Sequence, residues 1–557
     1  MNLNEYLNTL KGKSLVEANK VTEELCGIID FFESEEYIVA ESLIQENKVE
    51  YGDWQTNFEL ACRVCLLIKE QGITPDIIIE PTCGTGTFIL ASIIVFGDSA
   101  KKIYGIEIYK PYLIHSKFRL LEYALKNPGV ITSKIHLFHQ SIFGFNFDDL
   151  HISQKKNILI IGNPPWVTNS KLSEINSKNL PQKSNFKKIN GIEAITGKAN
   201  FDIAEYISYQ LLDYFHNQNS CLALLIKKSV AKNIVYEQKK ERYKIKNMTL
   251  YSFNAKKEFD VSVAACLFIA KLGQGRSKQC KCMDLYSLGQ PCYFGWTKDC
   301  FVADISDYQH YASIDGKCQL TWWSGMKHDC SKVMELSKKE GKFYNKMGEV
   351  VDIEPDLIYP ILKSSDLKGN EINCFRRYII VTQRCTSDNT DIIKDNQPKT
   401  YEYLETHSEW FKKRGSIIYK NRPKYCIFGI GPYSFKKYKI AIAGLYNTTL
   451  FSFVQPLEGK NVMLDDTCYL MGFDNRDVAK CFLKILNSDI VQRFMKSLVF
   501  HDAKRSINKD LLMRIDLEKA AKLLFNKSIL SKKEYELSSN YLATFRRRSS
   551  NRQLELF

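Results

Sequence analysis

The sequence predicts an α/β protein: a mainly parallel sheet covered by helices on both faces, followed by a second domain of mixed α/β character. Three observations lead there. Short, continuously apolar runs alternate with helical stretches through the first half of the chain, as strands buried on both faces do. After about residue 275 the texture changes, with clustered Trp and Tyr and strand-like pieces broken by turns. Hydrophobic residues make up 45% and charged residues 25% of the 557, which suits a large core and excludes wholesale disorder.

Residues 1–50 read as an amphipathic helical lead, with apolar residues at helical spacing through LVEANKVTEELCGIIDFF. The first domain spans 51–275, with strands at 76–80, 102–107, 134–138, 157–162, 221–226 and 263–272. The polar stretch LGQGRSKQCKC marks its end. The second domain spans 276–520, and 521–557 form a basic helical tail ending in FRRRSSNRQ.

Lys and Arg number 78 against 63 Asp and Glu, a net charge of +15. That excess points to a polyanionic partner, yet its density alone does not separate a nucleic-acid binder from a basic soluble protein. The N-terminus lacks a basic segment followed by an apolar one. The longest apolar stretch, roughly Thr87–Gly97, is shorter than the ~20 residues a bilayer crossing needs. A cytoplasmic protein with no membrane partner is expected. The 17 cysteines are odd in number and several lie in apolar runs (Cys62, Cys65, Cys221, Cys266), as small buried hydrophobes of a reducing compartment do. Cys280, Cys282, Cys292 and Cys300 have no dependable zinc spacing, so no metal is expected.

Three motifs carry chemistry. EPTCGTGTF (80–88) joins a strand to an apolar helix; Gly84 and Gly86 permit a tight turn and close ligand approach beside the unpaired N–H groups of a helix N-terminus. Glu107 ends the next strand, where a carboxylate can accept hydrogen bonds from two ribose hydroxyls. Alone, the first is also an ordinary turn and the second a solvated strand-end carboxylate. Asn163-Pro164-Pro165-Trp166 directly follows the strand ILIIG. Its prolines stiffen the backbone and carry no N–H, so the Asn163 side chain and the Pro164 carbonyl can accept both hydrogens of one amino group. Trp166 offers a flat face to a planar ring. A Pro-Pro loop merely ending a strand would not bring two cofactor-type elements before it.

With these elements in place the chain resembles the amino-methyltransferases of restriction–modification systems that use S-adenosylmethionine. EPTCGTGTF is similar to their Asp-Pro-x-x-Gly-x-Gly-x-Phe motif, with Glu80 for Asp, and NPPW to their Asn-Pro-Pro-aromatic motif. Thr56-Asn57 stands where the family has a Thr-Pro pair. The motif order, and C-terminal segments such as YPILKSSDL and DAKRSINKDLLMRIDL, are those of the gamma class with its target-recognition domain. The resemblance covers roughly residues 50–520. It implies a Rossmann-like class I methyltransferase sheet plus a C-terminal mixed α/β target-recognition domain. It also implies site-specific DNA adenine-N6 methylation in a bacterial or archaeal cytoplasm. The partner would be double-stranded DNA, with room for a separate cognate restriction endonuclease.

The residues carried over are Asn163, Pro164, Pro165 and Trp166 for catalysis. Thr56, Glu80, Pro81, Cys83, Gly84, Gly86, Phe88, Glu107, Ile108, Ser141 and Asn163 would hold the cofactor. Ser141, or Gln140 beside it, stands where the family usually has an Asp. Trp166 would stack on a flipped base, with Phe259 closing the other face or serving only as core. Lys412, Lys413, Arg414, Lys420, Arg422, Lys436 and Lys437 lie among aromatics and would face DNA phosphates, although each cluster alone is more often a solvated face. The rivals are a methyltransferase of RNA or protein amino groups, a bifunctional restriction enzyme, and a regulator on an inactive fold. Glu46-Asn47-Lys48 has a nuclease-like Glu-x-Lys spacing without a convincing strand context, and the intact motifs argue against the regulator.

Overall fold

The structure, a computed structural model, describes residues 55–127, 129–168, 202–287, 289–372, 375–446, 448–500 and 505–554, with side chains to Phe545. The expected helical lead and Glu46-Asn47-Lys48 lie outside the described residues. The chain divides into two compact units, the first ending at Phe301 and the second beginning at Val302.

In the first unit the strands are β1 (Ile77–Glu80), β2 (Lys102–Glu107), β3 (Lys134–His139), β4 (Ile158–Gly162) and β5 (Ser220–Lys227). They continue as β6 (Ile245–Ser252), β7 (Ala265–Leu272), β8 (Gln279–Asp284), β9 (Cys292–Thr297) and β10 (Cys300–Val302). The order across the sheet is β10-β9-β8-β6-β7-β5-β4-β1-β2-β3. β1 to β5 are mutually parallel, and β7 runs antiparallel to both β5 and β6. This is the class I methyltransferase sheet. Every residue of β1 and β4 is buried, so both faces are covered, as the apolar runs require.

The helices about the site are α1 (Phe58–Glu70), α2 (Thr87–Phe96), α3 (Lys110–Lys126), α4 (Ile203–Phe215), α5 (Lys228–Glu237) and the short α6 (Ala255–Phe259). Asn57 caps α1 by accepting from the Glu59 amide at 2.9 Å. The buried face of α1, Leu60, Ala61, Val64, Cys65 and Ile68, has helical spacing. α2 is buried almost throughout, which explains its lack of any polar face.

The six expected strands are present, but β6 and β8–β10 went unread. β6 and β8 mix buried, half-buried and exposed residues rather than forming apolar runs. The stretch expected to end the domain near 275 is instead a turn with Gly273 (φ 89°) and Gly275 (φ 69°), after which β8 pairs in parallel with β6. The first unit therefore extends to Phe301. Cys280, Cys282, Cys292 and Cys300 all lie on β8–β10, and Cys282 and Cys292 are cross-strand neighbours.

The second unit is mixed α/β. A four-stranded sheet includes Tyr438–Ala443 at its centre, and a six-stranded sheet includes Glu335–Lys339 and Ile358–Leu362. Helices Arg476–Leu486, Asp489–Leu498, Leu517–Asn526 and Lys532–Leu554 follow. Among the described residues no helix is long and apolar enough to cross a membrane.

Candidate active site

β1 lies between β4 and β2, so the loops leaving the carboxyl ends of these strands diverge and open a crevice there. The sequence places all three motifs at these ends. A cleft results, lined from β1 by Glu80, Pro81, Thr82, Cys83 and Gly84, and from β2 by Ile106, Glu107 and Ile108. Thr56 precedes α1, Phe88 lies in α2, and Asn163 and Pro165 follow β4; all four also line it.

The glycine turn is tied to β2. The Cys83 amide donates to the Ile106 carbonyl at 2.8 Å, and the Gly84 amide to Glu107 Oε2 at 2.8 Å. Glu107 Oε1 accepts from the Tyr109 amide at 2.7 Å. The carboxylate expected to hold a ribose thus also holds the turn. Gly84 (φ 52°) and Gly86 (φ 76°) both occupy left-handed backbone. Their neighbours differ. A Cβ at Gly84 would meet the Gln55 amide at 3.1 Å, whereas one at Gly86 would lie 2.1 Å from Ser116 Oγ on α3. Gly86 is outside the cleft lining, and its close approach is to a helix.

Glu80 is 3% exposed. It accepts from the Ile89 amide, yet its Oε2 has no hydrogen-bond partner among the described residues. Burial, with Glu107 nearby, pushes its carboxyl well above the usual range, while Arg119 opposes the shift. Two acidic side chains in one crevice suit a cofactor bearing ribose hydroxyls and an ammonium. The apolar wall of Phe88, Ile106, Ile108 and Ile142 suits a flat ring. These residues fit S-adenosylmethionine.

Asn163 Nδ2 donates to Thr56 Oγ1 at 3.2 Å, which orients the amide and sets Oδ1 on its other edge. Trp166 is buried, and its Nε1 donates to the Leu225 carbonyl of β5 at 3.1 Å. Trp166 and Phe259 do come together, with ring centroids 5.1 Å apart at 67°, edge to face. In this arrangement the rings touch one another, so a base could enter only if they parted. Pro164 and Trp166 are outside the cleft lining. After β3, Gln140 lines the cleft and Ser141 does not. The Ser141 hydroxyl instead accepts from the Phe143 amide and caps a short turn.

Residues missed in the sequence include Gln55, which accepts from Thr85 Oγ1 at 2.9 Å over the glycine turn, and Tyr112 of α3. Gln55 adjoins Thr56, and Tyr112 lies five residues past Glu107, so their closeness to named positions was a usable signal. Ile203 and Ile207 of α4 also line the cleft, and nothing local marks them.

The basic residues of the second unit separate into two groups. Lys412, Lys413, Lys420 and Arg422 are exposed around one turn, and Lys437 is exposed at another. Arg414 is half-buried and donates to the carbonyls of Phe411, Cys426 and Lys424. Lys436 is paired with Asp474.

No family model matches the chain. Over 483 residues it is 38% identical to the type II methyltransferase M.NspV of Nostoc sp., covering 86% of this chain and 99% of that one. Among solved structures, the type IIL restriction–modification enzyme MmeI in complex with DNA aligns over 96% of this chain and 75% of its own, at 13% identity and TM-score 0.48. The type IIG restriction endonuclease BpuSI aligns over 88% of this chain and 65% of its own, at 13% identity and TM-score 0.35. Given its extended identity to M.NspV and the cofactor-shaped cleft, the chain belongs to the type II methyltransferases.

Proposed function

We propose that this restriction–modification methyltransferase uses S-adenosylmethionine to methylate the exocyclic N6 of adenine at specific sites in duplex DNA, protecting that DNA from a cognate nuclease. The observation that carries this reading is the Asn163-Pro164-Pro165-Trp166 segment. It leaves β4 beside the Glu80–Gly84–Glu107 cleft, with the Asn163 amide oriented by Thr56.

The bound cofactor supplies an electrophilic methyl on sulfur. Thr56, Glu80, Pro81, Cys83, Gly84, Phe88, Glu107 and Ile108, which line the cleft at the carboxyl edge of the sheet, would hold it. An adenine amino group is a poor nucleophile because its lone pair is delocalised into the ring. Asn163 Oδ1 and the Pro164 carbonyl accept its two hydrogens, draw the nitrogen toward a tetrahedral state and stabilise the positive charge that develops there. Pro165 keeps that carbonyl in place. Transfer is direct. Cys83, in the cleft, is buried, and burial first, then Glu80 and Glu107, push its thiol well above the usual range, so it supplies no thiolate.

A stacked adenine is out of reach, so the target base leaves the duplex. Trp166 stacks on one face of it, and Phe259 moves away from Trp166 to cover the other. The second unit serves as the recognition domain, with Lys412, Lys413, Lys420, Lys436 and Lys437 toward phosphates.

Modified-base sequencing of DNA from cells making the protein is expected to show N6-methyladenine at one recurring sequence. Purified protein with labelled cofactor should then methylate a duplex bearing that sequence. Labelling of tRNA or protein but not DNA would overturn the reading. Duplex affinity should also fall steeply with salt; four or five phosphate contacts give a log–log slope of roughly −4. A flat titration would assign the basic surface another purpose.

A further inference from the structure

Ile417 is 81% exposed, the most exposed large apolar side chain among the described residues. A lone exposed hydrophobe is ordinary on a protein surface. This one differs in how it is mounted. It opens a 3₁₀ turn, Ile417–Tyr419, in the second unit. The Tyr419 amide donates to the Ser416 carbonyl at 3.2 Å and the Lys420 amide to the Ile417 carbonyl at 3.1 Å.

Two arginines brace the turn. The Arg414 guanidinium reaches the carbonyls of Phe411 (3.2 Å), Cys426 (2.8 Å) and Lys424 (2.8 Å) and lies 3.9 Å from the Tyr419 ring centroid. Arg422 Nε donates to the Ile418 carbonyl at 3.0 Å, and its guanidinium lies 5.6 Å from the Phe428 ring centroid. A turn tip would ordinarily carry a polar residue, because nothing there removes the side chain from water. Here a stiff, β-branched apolar side chain is presented on a hydrogen-bonded turn.

The charges around it complete the picture. Lys412, Lys413 and Lys420 are exposed beside the turn. Lys412 is paired with Glu409, but among the described residues neither Lys413 nor Lys420 has a carboxylate within ion-pair distance. Cations without anionic partners, flanking a protruding apolar tip, complement a charged backbone enclosing an apolar stack of bases.

We infer that Ile417 is a wedge that enters between adjacent base pairs of bound duplex DNA, with Lys413 and Lys420 on the phosphates beside it. This rests on the DNA reading above. Apolar side chains inserted at a base step unstack it and kink the duplex, at a cost of a few kcal/mol offset by the contacts the bend permits. An enzyme that must extract a base gains from a duplex already loosened. Arg414 and Arg422, with donors engaged by carbonyls, act as braces.

The test uses the full chain and duplexes carrying the sequence found by modified-base sequencing, with 2-aminopurine placed in turn at steps outside the methylated base. Wild-type protein should raise fluorescence at one such step. Ile417→Ala should lose that rise and bind the intact duplex roughly tenfold more weakly. It should bind normally when an abasic gap replaces the step, and its affinity for S-adenosylmethionine should be unchanged. Ile417→Leu should restore the rise. Equal binding and fluorescence from Ile417→Ala would overturn the wedge while leaving the DNA reading intact. Failure of wild-type protein to bind the duplex would overturn both.

Discussion

Replacing Asn163 by alanine is expected to slow methyl transfer by about 10²–10³-fold, the usual cost of losing one preorganised polar group in a transition state. Cofactor affinity should change far less, because the remaining lining of the cleft, including Glu80, Gly84 and Glu107, is untouched. Single-turnover transfer with labelled cofactor, beside calorimetric titration of the cofactor, separates the two effects. Near-normal transfer would refute the assigned role. Asn163→Asp makes the comparison sharper. It keeps an acceptor toward the substrate, and the Thr56 hydroxyl, which accepts from Asn163 at 3.2 Å, can turn to donate to the new carboxylate. Its residual activity should exceed that of the alanine variant. The reverse ranking would mean that Asn163 acts by shape rather than as an acceptor.

Lys439 is the second position where a single change has a large expected effect, here on stability. It is 1% exposed in the central strand of the four-stranded sheet. Its Nζ donates to the Lys436 carbonyl at 2.7 Å. Among the described residues no carboxylate lies within ion-pair distance of it. Burial therefore pushes its ammonium down to about 7 from an ordinary 10.5. Between those values the unfolded chain holds a proton that the native protein does not, so native stability rises with pH across that window. The penalty is fully present below about pH 7. Lys439→Met should remove it, stabilising the second unit near neutral pH by roughly 4 kcal/mol. It should also abolish the extra rise in stability toward pH 10 relative to wild type. Calorimetric melts of both proteins at several pH values test this. Parallel pH profiles would show that Lys439 stays protonated in the fold.

The sequence was most informative where one local signal sufficed. Continuous apolar runs announced β1, β2, β4, β5 and β7, because a strand buried on both faces has no reason to vary; β3, at the sheet edge, was read from the shorter run KIHLF. Of the strands it concealed, β6 and β8 mix polar with apolar residues, a pattern shared with loops, and β9 and β10 are short and half-exposed. The polar segment around 273–283 looked like a boundary for the same reason. At the site, Glu80, Gly84, Glu107 and Asn163 were legible because motif chemistry demands particular residue types at the ends of apolar strands. Ile203 and Ile207 were not, since any apolar residue could serve there.

By itself the sequence determined the sheet core, the motif set and the surplus of positive charge, all properties written in residue type and local spacing. Only the tertiary structure decided what each group touches. It set Gly86 against Ser116 and placed Gln140, not Ser141, in the cleft lining. It tied Arg414 to three carbonyls while leaving Ile417 in water. The physical reason is that burial, hydrogen-bond partnership and exposure are relations between residues distant in the chain. A side chain's chemistry is carried in the sequence, but its neighbours are set by packing.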